Sequence, residues 1–145
     1  MKACPLCERL ERIRAGEDPG FIREFQESYA VLADSKAYAG WCTLILKAHE
    51  EHLVHLPVAR QRNLFADVAK MAAAVQQACH TKRINYECLG NVTAHVHWHV
   101  IPRHEGDPQP KATVWVRPEA ELRATLPDEE RTALVGRLKK ALDER

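Results

Sequence analysis

The stretch His95-Val96-His97-Trp98-His99-Val100-Ile101 sets three histidines in alternation with apolar residues. Successive side chains of a β-strand point to opposite faces, so this pattern predicts a strand over 95–101 with all three imidazoles on one side. A strand packing a core would place aliphatic residues there, and a solvent-facing strand seldom gathers three groups that titrate near neutrality. The spacing also limits the chemistry. Residues two apart on a strand are separated by about 6.6 Å, and the outer pair, His95 and His99, by about 13 Å. Zinc–nitrogen bonds are only about 2 Å long, so one ion cannot easily collect all three, and at least one imidazole must act on something else. A phosphate group suits that role. Its charged oxygens are spread out, and an imidazole can attack phosphorus, donate to oxygen or protonate a leaving group.

These residues resemble the His-φ-His-φ-His signature of the histidine-triad family of nucleotide hydrolases and transferases, and Ile101-Pro102-Arg103 continues it as those proteins often do. The likeness extends upstream. Residues 29–32 and 40–47 look like its early strands, and Lys47-Ala48-His49 like the basic-x-His step that ends the second of them. The resemblance covers most of residues 1–104. It implies that His97 is the nucleophile, taking a nucleoside monophosphate as a covalent phosphoramidate that water then cleaves. Such a nucleophile needs a neutral ring with Nε2 free, so Nδ1 keeps its proton through a hydrogen bond, in the family to the carbonyl of the first triad residue, here His95. His99 is expected to donate to the phosphate oxygens as charge develops. Diadenosine polyphosphate hydrolases of this family are the nearest functional likeness, and the implied substrates are dinucleoside polyphosphates or nucleoside phosphoramidates.

Departures from the family pattern are equally visible. Gly90-Asn91-Val92-Thr93 stands where a Gly-Gln or Gly-Ser segment usually holds the phosphate and leaving group. Asn91 keeps an amide for phosphate contact, whereas Val92 cannot donate where a hydroxyl is common. Trp41 follows Gly40 where the family often has a histidine, and is expected to pack beneath the triad. Asp34, after the first hairpin strand, is the implied ribose-binding carboxylate.

Cys4-Pro5-Leu6-Cys7 by its spacing alone is half of a metal site, a redox pair or chance. No βαβ pattern surrounds it as a thioredoxin-like motif requires, and its place ahead of a histidine-bearing strand core suits a Cys₂His₂ site. Some histidine-triad proteins, and the related galactose-1-phosphate uridylyltransferases, hold structural zinc through such a pair plus two histidines, which here would be His49 and His95. Two reduced thiols without metal are the alternative.

At 145 residues the chain is expected to form a single α+β domain, a histidine-triad core over 1–104 and an extension over 105–145. The predicted architecture is an antiparallel meander with a long helix packed on it and a C-terminal helix. Strand-length apolar runs fall at 21–25, 29–32, 41–46, 84–89 and 95–101, and a short helix at 8–15. Leu64, Val68, Met71, Val75 and Cys79 mark the buried stripe of the long helix over 58–80. Leu134, Leu138 and Leu142 mark that of the last helix, 127–143. Phe65, Ala69, Ala72, Ala73 and Ala78 widen the apolar arc of the long helix beyond one sheet face, which predicts a homodimer through that helix and an adjoining strand. Basic residues number 21 against 20 acidic, so no cationic field argues for a nucleic-acid polymer. Five cysteines, two of them in metal-like spacing, and the lack of an apolar leader at residues 1–5 lead to the expectation of a cytoplasmic protein. Two other functions fit the residues: a nucleotide-binding or zinc-stabilised interaction protein with little turnover, and a zinc hydrolase using His95 and His97 as ligands.

Overall fold

A computed structural model describes residues 3–145. Helix α1, Pro5–Arg14, begins three residues earlier than expected because Pro5 sits at the first helical position, where its missing N–H goes unneeded. Cys4 thus becomes the residue that caps the helix, and Cys7 lies in its first turn. Strands β1 (Phe21–Glu24), β2 (Ser28–Leu32) and β3 (Cys42–Leu46) follow as two antiparallel hairpins, the expected meander. Helix α2, Val58–Cys79, then carries the chain across one face of the sheet to its far edge. There β4 (Arg83–Glu87) forms, and β5 (His97–Arg103) returns between β4 and β3, giving the order β1-β2-β3-β5-β4.

The meander therefore stops at β3, and the histidine-bearing strand is internal. Composition accounts for the exchange. Val100 and Ile101 of β5 are fully buried, whereas β4 carries Arg83, Asn85 and Glu87, polar side chains suited to an edge. β5 also starts two residues later than the alternation predicts. The Val96 N–H leaves the ladder to donate to the Glu50 carbonyl at 2.7 Å, so His95 precedes the strand.

One sheet face packs against α2 and the C-terminal helix α4, Asp128–Asp143. Leu64, Val68, Met71 and Val75 are buried from α2, and Leu134 and Leu138 from α4, as their spacing implies, with Ala141 buried and Leu142 half-buried beside them. The buried Asp67 of α2 accepts from the Glu27 N–H and the Ser28 hydroxyl, both at 2.9 Å, and so pins the β1–β2 turn. The opposite face is covered only at its two ends. At one end Leu10 and Ile13 of α1 pack on Val31 and Ile45. At the other, Tyr38, Trp41, Ile101 and Val114 form a second cluster, joined by Leu122 of the short helix α3, Glu119–Leu122. His97 and His99, which share the side of Ile101 on β5, lie between these two covers. No helix among the described residues is long and apolar enough to cross a membrane.

Candidate active site and metal cluster

Register places the reacting groups. His97 pairs with Ile45 across the β3–β5 ladder, and His99 pairs with Thr43 on one side and Glu87 on the other. The two imidazoles stand edge to face, with ring centroids 4.9 Å apart. Their hydrogen-bond partners fix opposite tautomers. Nδ1 of His97 lies 2.6 Å from the carbonyl oxygen of His95, and a carbonyl only accepts, so Nδ1 carries the proton and Nε2 a lone pair. Nδ1 of His99 lies 3.1 Å from Nε1 of Trp41, and an indole N–H only donates, so the His99 proton is on Nε2. Neither Nε2 has a hydrogen-bond partner among the described residues. An electron-pair donor thus sits beside a hydrogen-bond donor, the pair needed to attack a phosphorus centre and to hold its oxygens. Burial, reinforced by the neighbouring His97, pushes His99 down to about 4, so its ring is uncharged at neutral pH.

The second constellation lies immediately upstream. Sγ of Cys4, Sγ of Cys7 and ring nitrogens of His49 and His95 all fall within 4.8 Å of one another. Nδ1 of His95 is 3.5 Å from each sulfur, and Nδ1 of His49 is 3.3 Å from Cys7 Sγ. Bonds of about 2.3 Å to sulfur and 2.0 Å to nitrogen at tetrahedral angles require a nitrogen–sulfur edge of about 3.5 Å. These three nitrogen–sulfur edges match those of a tetrahedral site. His95 donates Nε2–H to the Leu46 carbonyl at 2.8 Å, which leaves Nδ1 deprotonated and aimed at the cysteines. Burial pushes the His95 imidazole down, with a smaller contribution from His49, and keeps it neutral as a ligand must be. Burial and the adjacent Cys4 push the Cys7 thiol up, so two thiolates side by side call for a cation between them. His97 is not in this group, and four donors leave no open position. One residue joins the two constellations: the ring of His95 faces the cysteines while its carbonyl holds the ring of His97.

Six of the expected residues thus come together, Cys4, Cys7, His49 and His95 in one cluster with His97 and His99 beside it. Asn91 lies in the exposed 88–94 loop ahead of β5, next to a fully exposed Val92. Asp34 is engaged elsewhere. Its carboxylate accepts from the Leu126 N–H at 3.1 Å and from Arg131 Nε at 3.0 Å, which ties the end of β2 to α4. His104 donates Nε2–H to the Ala39 carbonyl at 2.9 Å. Two features escape sequence reasoning. Trp41, expected only to pack, also bonds His99. Trp115 lies edge-on to both Trp41 and His99, at centroid distances of 5.4 and 5.5 Å, and donates to Glu87 at 2.6 Å. The tryptophans are plain in the sequence, but their targets follow from the Thr43–His99 and Glu87–His99 registers.

An antiparallel sheet with two long helices on one face and an alternating histidine strand facing the other defines the histidine-triad class of protein. The sequence profile of the HIT domain matches residues 16–106, and the chain belongs to the histidine-triad family. It is similar to a histidine-triad protein of Sinorhizobium meliloti, at 27% identity and a TM-score of 0.77, over 97% of this chain and 98% of that one. A hypothetical histidine triad nucleotide-binding protein of Sulfolobus tokodaii shares the fold at 19% identity and a TM-score of 0.74, over 95% and 93% of the two chains. So does a Zn-bound histidine triad family protein of Mycobacterium smegmatis, at 21% identity and 0.70, over 98% and 94%. Among curated proteins none matches. Family membership supports a nucleotide-binding function of hydrolase or transferase type.

Proposed function

We propose that this protein is a nucleotide hydrolase or transferase that cleaves a phosphoanhydride or phosphoramidate through a nucleotidyl-His97 intermediate, like the diadenosine polyphosphate hydrolases it resembles. The pairing of opposite tautomers carries the reading: His97 presents an Nε2 lone pair and His99, at 4.9 Å between ring centroids, an Nε2–H. In the first half-reaction Nε2 of His97 attacks the α-phosphorus, and the bond to the leaving group breaks with its electron pair. The positive charge that develops on the His97 ring is relieved through Nδ1–H to the His95 carbonyl, while His99 donates to a phosphoryl oxygen. Water then attacks phosphorus, the pair returns to Nε2, and the water's proton passes to solvent. Asn91, on its exposed loop, is the side-chain amide proposed to contact the phosphate. Asp34 reads as a residue that docks α4 rather than one that binds ribose, because Arg131 and Leu126 occupy its oxygens.

Zinc is the ion that the Cys4, Cys7, His49 and His95 set suits, two thiolates and two imidazoles at tetrahedral spacing. When bound it supplies fold stability rather than reaction chemistry. The same closed donor set disfavours a zinc hydrolase built on His95 and His97. The protein is further proposed to be a homodimer and cytoplasmic. Phe65, Ala69, Ala73, Ile84, Tyr86 and Trp98 line a groove between α2 and the edge strand β4 that a second copy would cover.

Diadenosine tetraphosphate and a fluorogenic adenosine phosphoramidate test the reading, with acid-sensitive adducts trapped by rapid quenching at high pH. An adenylyl mass on the peptide containing His97, and its loss together with turnover in His97→Ala, are expected. Wild-type-like turnover in His97→Ala would exclude the covalent route, and turnover abolished at once by a chelator would favour metal catalysis.

A further inference from the structure

The site described above leaves one question of proton supply, and Trp41 answers it. The indole is 5% exposed and held among Tyr38, Ile101 and Val114, with its ring edge-on to Tyr38 at 6.4 Å and to His99 at 5.3 Å. Its seat depends on Gly40, whose φ of +98° and whose missing Cβ, which would lie 2.3 Å from Cys79 Sγ, let the chain enter β3 at this angle. From that seat Nε1–H meets Nδ1 of His99 at 3.1 Å. A proton on that Nδ1 would set two hydrogens against each other and strip a buried indole N–H of its partner, so His99 cannot readily become an imidazolium. A neutral His99 can donate a hydrogen bond from Nε2, but handing over that proton would leave an imidazolate. His97 offers no alternative, since its Nδ1–H is held by the His95 carbonyl and its Nε2 is the attacking atom. The nearby Glu87 accepts a bond from Trp115 Nε1–H at 2.6 Å.

We propose that Trp41 is a positioning residue that keeps His99 a neutral Nε2–H donor, and that this site therefore expels leaving groups that depart as weakly basic anions, phosphates in preference to amines. The proposal rests on the nucleotidyl-His97 reading and narrows its substrate class to phosphoanhydrides. The step balances without an added proton. The Nε2–phosphorus bond forms, the bridging phosphorus–oxygen bond breaks, and the electron pair stays on the departing phosphate. An amine leaving by the same path would depart as an amide anion unless something protonated it, and the triad holds nothing that can.

The test has two arms. Nitrogen-15 NMR of the histidine rings reads the tautomer without any turnover. Wild-type His99 should show an unprotonated Nδ1 hydrogen-bonded to the Trp41 indole proton. Trp41→Phe, which keeps an aromatic ring and deletes the donor, should give a tautomer mixture, and Trp41→His, which can donate again, should restore the wild-type signature. Kinetics form the second arm. Wild-type kcat/KM on diadenosine tetraphosphate should exceed that on an adenosine phosphoramidate by at least about tenfold. In Trp41→Phe that ratio should shrink about tenfold, as expected for losing one oriented donor, through a fall in kcat on the anhydride with KM within about twofold. A protonated Nδ1 on wild-type His99 overturns the proposal even in an active enzyme, and so does a wild type that prefers the amidate. If both substrates go unturned while the tautomer is as described, it is the nucleotidyl-transfer reading that fails, and the leaving-group assignment falls with it.

Discussion

At the scale of single residues, His95 and His97 are neighbours on one motif with separable duties. His97 is 8% exposed and spends one ring nitrogen on a backbone carbonyl, leaving the other for chemistry. His97→Ala should abolish turnover while lowering Tm less than His95→Ala does, because it removes one hydrogen bond and none of the four clustered donors. His95 is 1% exposed, donates to Leu46 and faces both cysteines. His95→Ala should lower Tm by several degrees as well as slow catalysis, because it removes a ligand and loosens the strand start that aims His97. Thermal unfolding beside steady-state rates separates the two effects, and equal Tm losses in both variants would show that the duties are not divided in this way.

At the scale of elements, two polar devices add to the packing of Leu10 and Ile13 in holding the short helix α1 to the sheet. One is the Cys4, Cys7, His49 and His95 cluster, proposed to hold zinc, which sets its first turn against His49 and His95. Cys4→Ser with Cys7→Ser should lower Tm by several degrees and abolish a stoichiometry of about one zinc per chain, measured by metal analysis on protein purified without added zinc. An equally stable, metal-free wild type would refute the site. The other is Arg9, which donates to Asp18 at 2.7 Å and to the Leu32 carbonyl at 3.1 Å. Burial would raise the Asp18 carboxyl, but the Arg9 bond and charge, with the Gly20 N–H, outweigh it and hold the group below the usual carboxylate range. A depressed folded value means that the stabilisation is present above the unfolded pKa of about 4 and is lost as pH falls through the folded one. Asp18→Asn should cost about 1–2 kcal/mol at pH 7, and the gap to wild type should close as the pH drops below about 4 in denaturant titrations. A gap that persists at pH 2 would assign the effect to packing.

At the scale of the whole molecule, the wide apolar arc of α2 is covered along one flank and open along the other. Along one flank α4 buries Leu134, Val135, Leu138 and Ala141 against the sheet and helix core, and the Asp34–Arg131 and Arg23–Asp143 pairs hold it there. Along the other flank Phe65 remains 48% exposed, edge-on to Trp98 at 5.2 Å, and Tyr86 of the edge strand is 54% exposed beside it. An edge strand next to an apolar helix face is a surface that a two-fold copy can close. Light scattering at micromolar concentration should give twice the chain mass of 16.5 kDa, and Phe65→Lys should return it toward one. A wild-type mass of one chain would defeat the dimer.

Legibility followed the range of the interactions. The alternation at 95–101, the Cys4-x-x-Cys7 pair and the three- and four-residue steps of α2 and α4 are local patterns. A strand face, a helix turn and an apolar stripe are set within a few residues, so the sequence by itself determined the main element types and the histidine face, while His49 and His95 as partners of the cysteines came from the family resemblance. What it could not hold was whatever depends on pairing between distant segments. Only the tertiary structure decided that β5 lies inside the sheet rather than next in a meander, because strand order turns on which flank can bury Val100 and Ile101 and which can expose Glu87. Asp34 is an acidic residue after a strand in either description, yet Arg131, 97 residues later, determines where its carboxylate points. Trp41 looked like packing for the same reason. Its N–H acquires a chemical role only when the β3–β5 register sets Thr43 opposite His99, and a hydrogen bond across 58 residues of chain leaves no trace in the spacing of either partner.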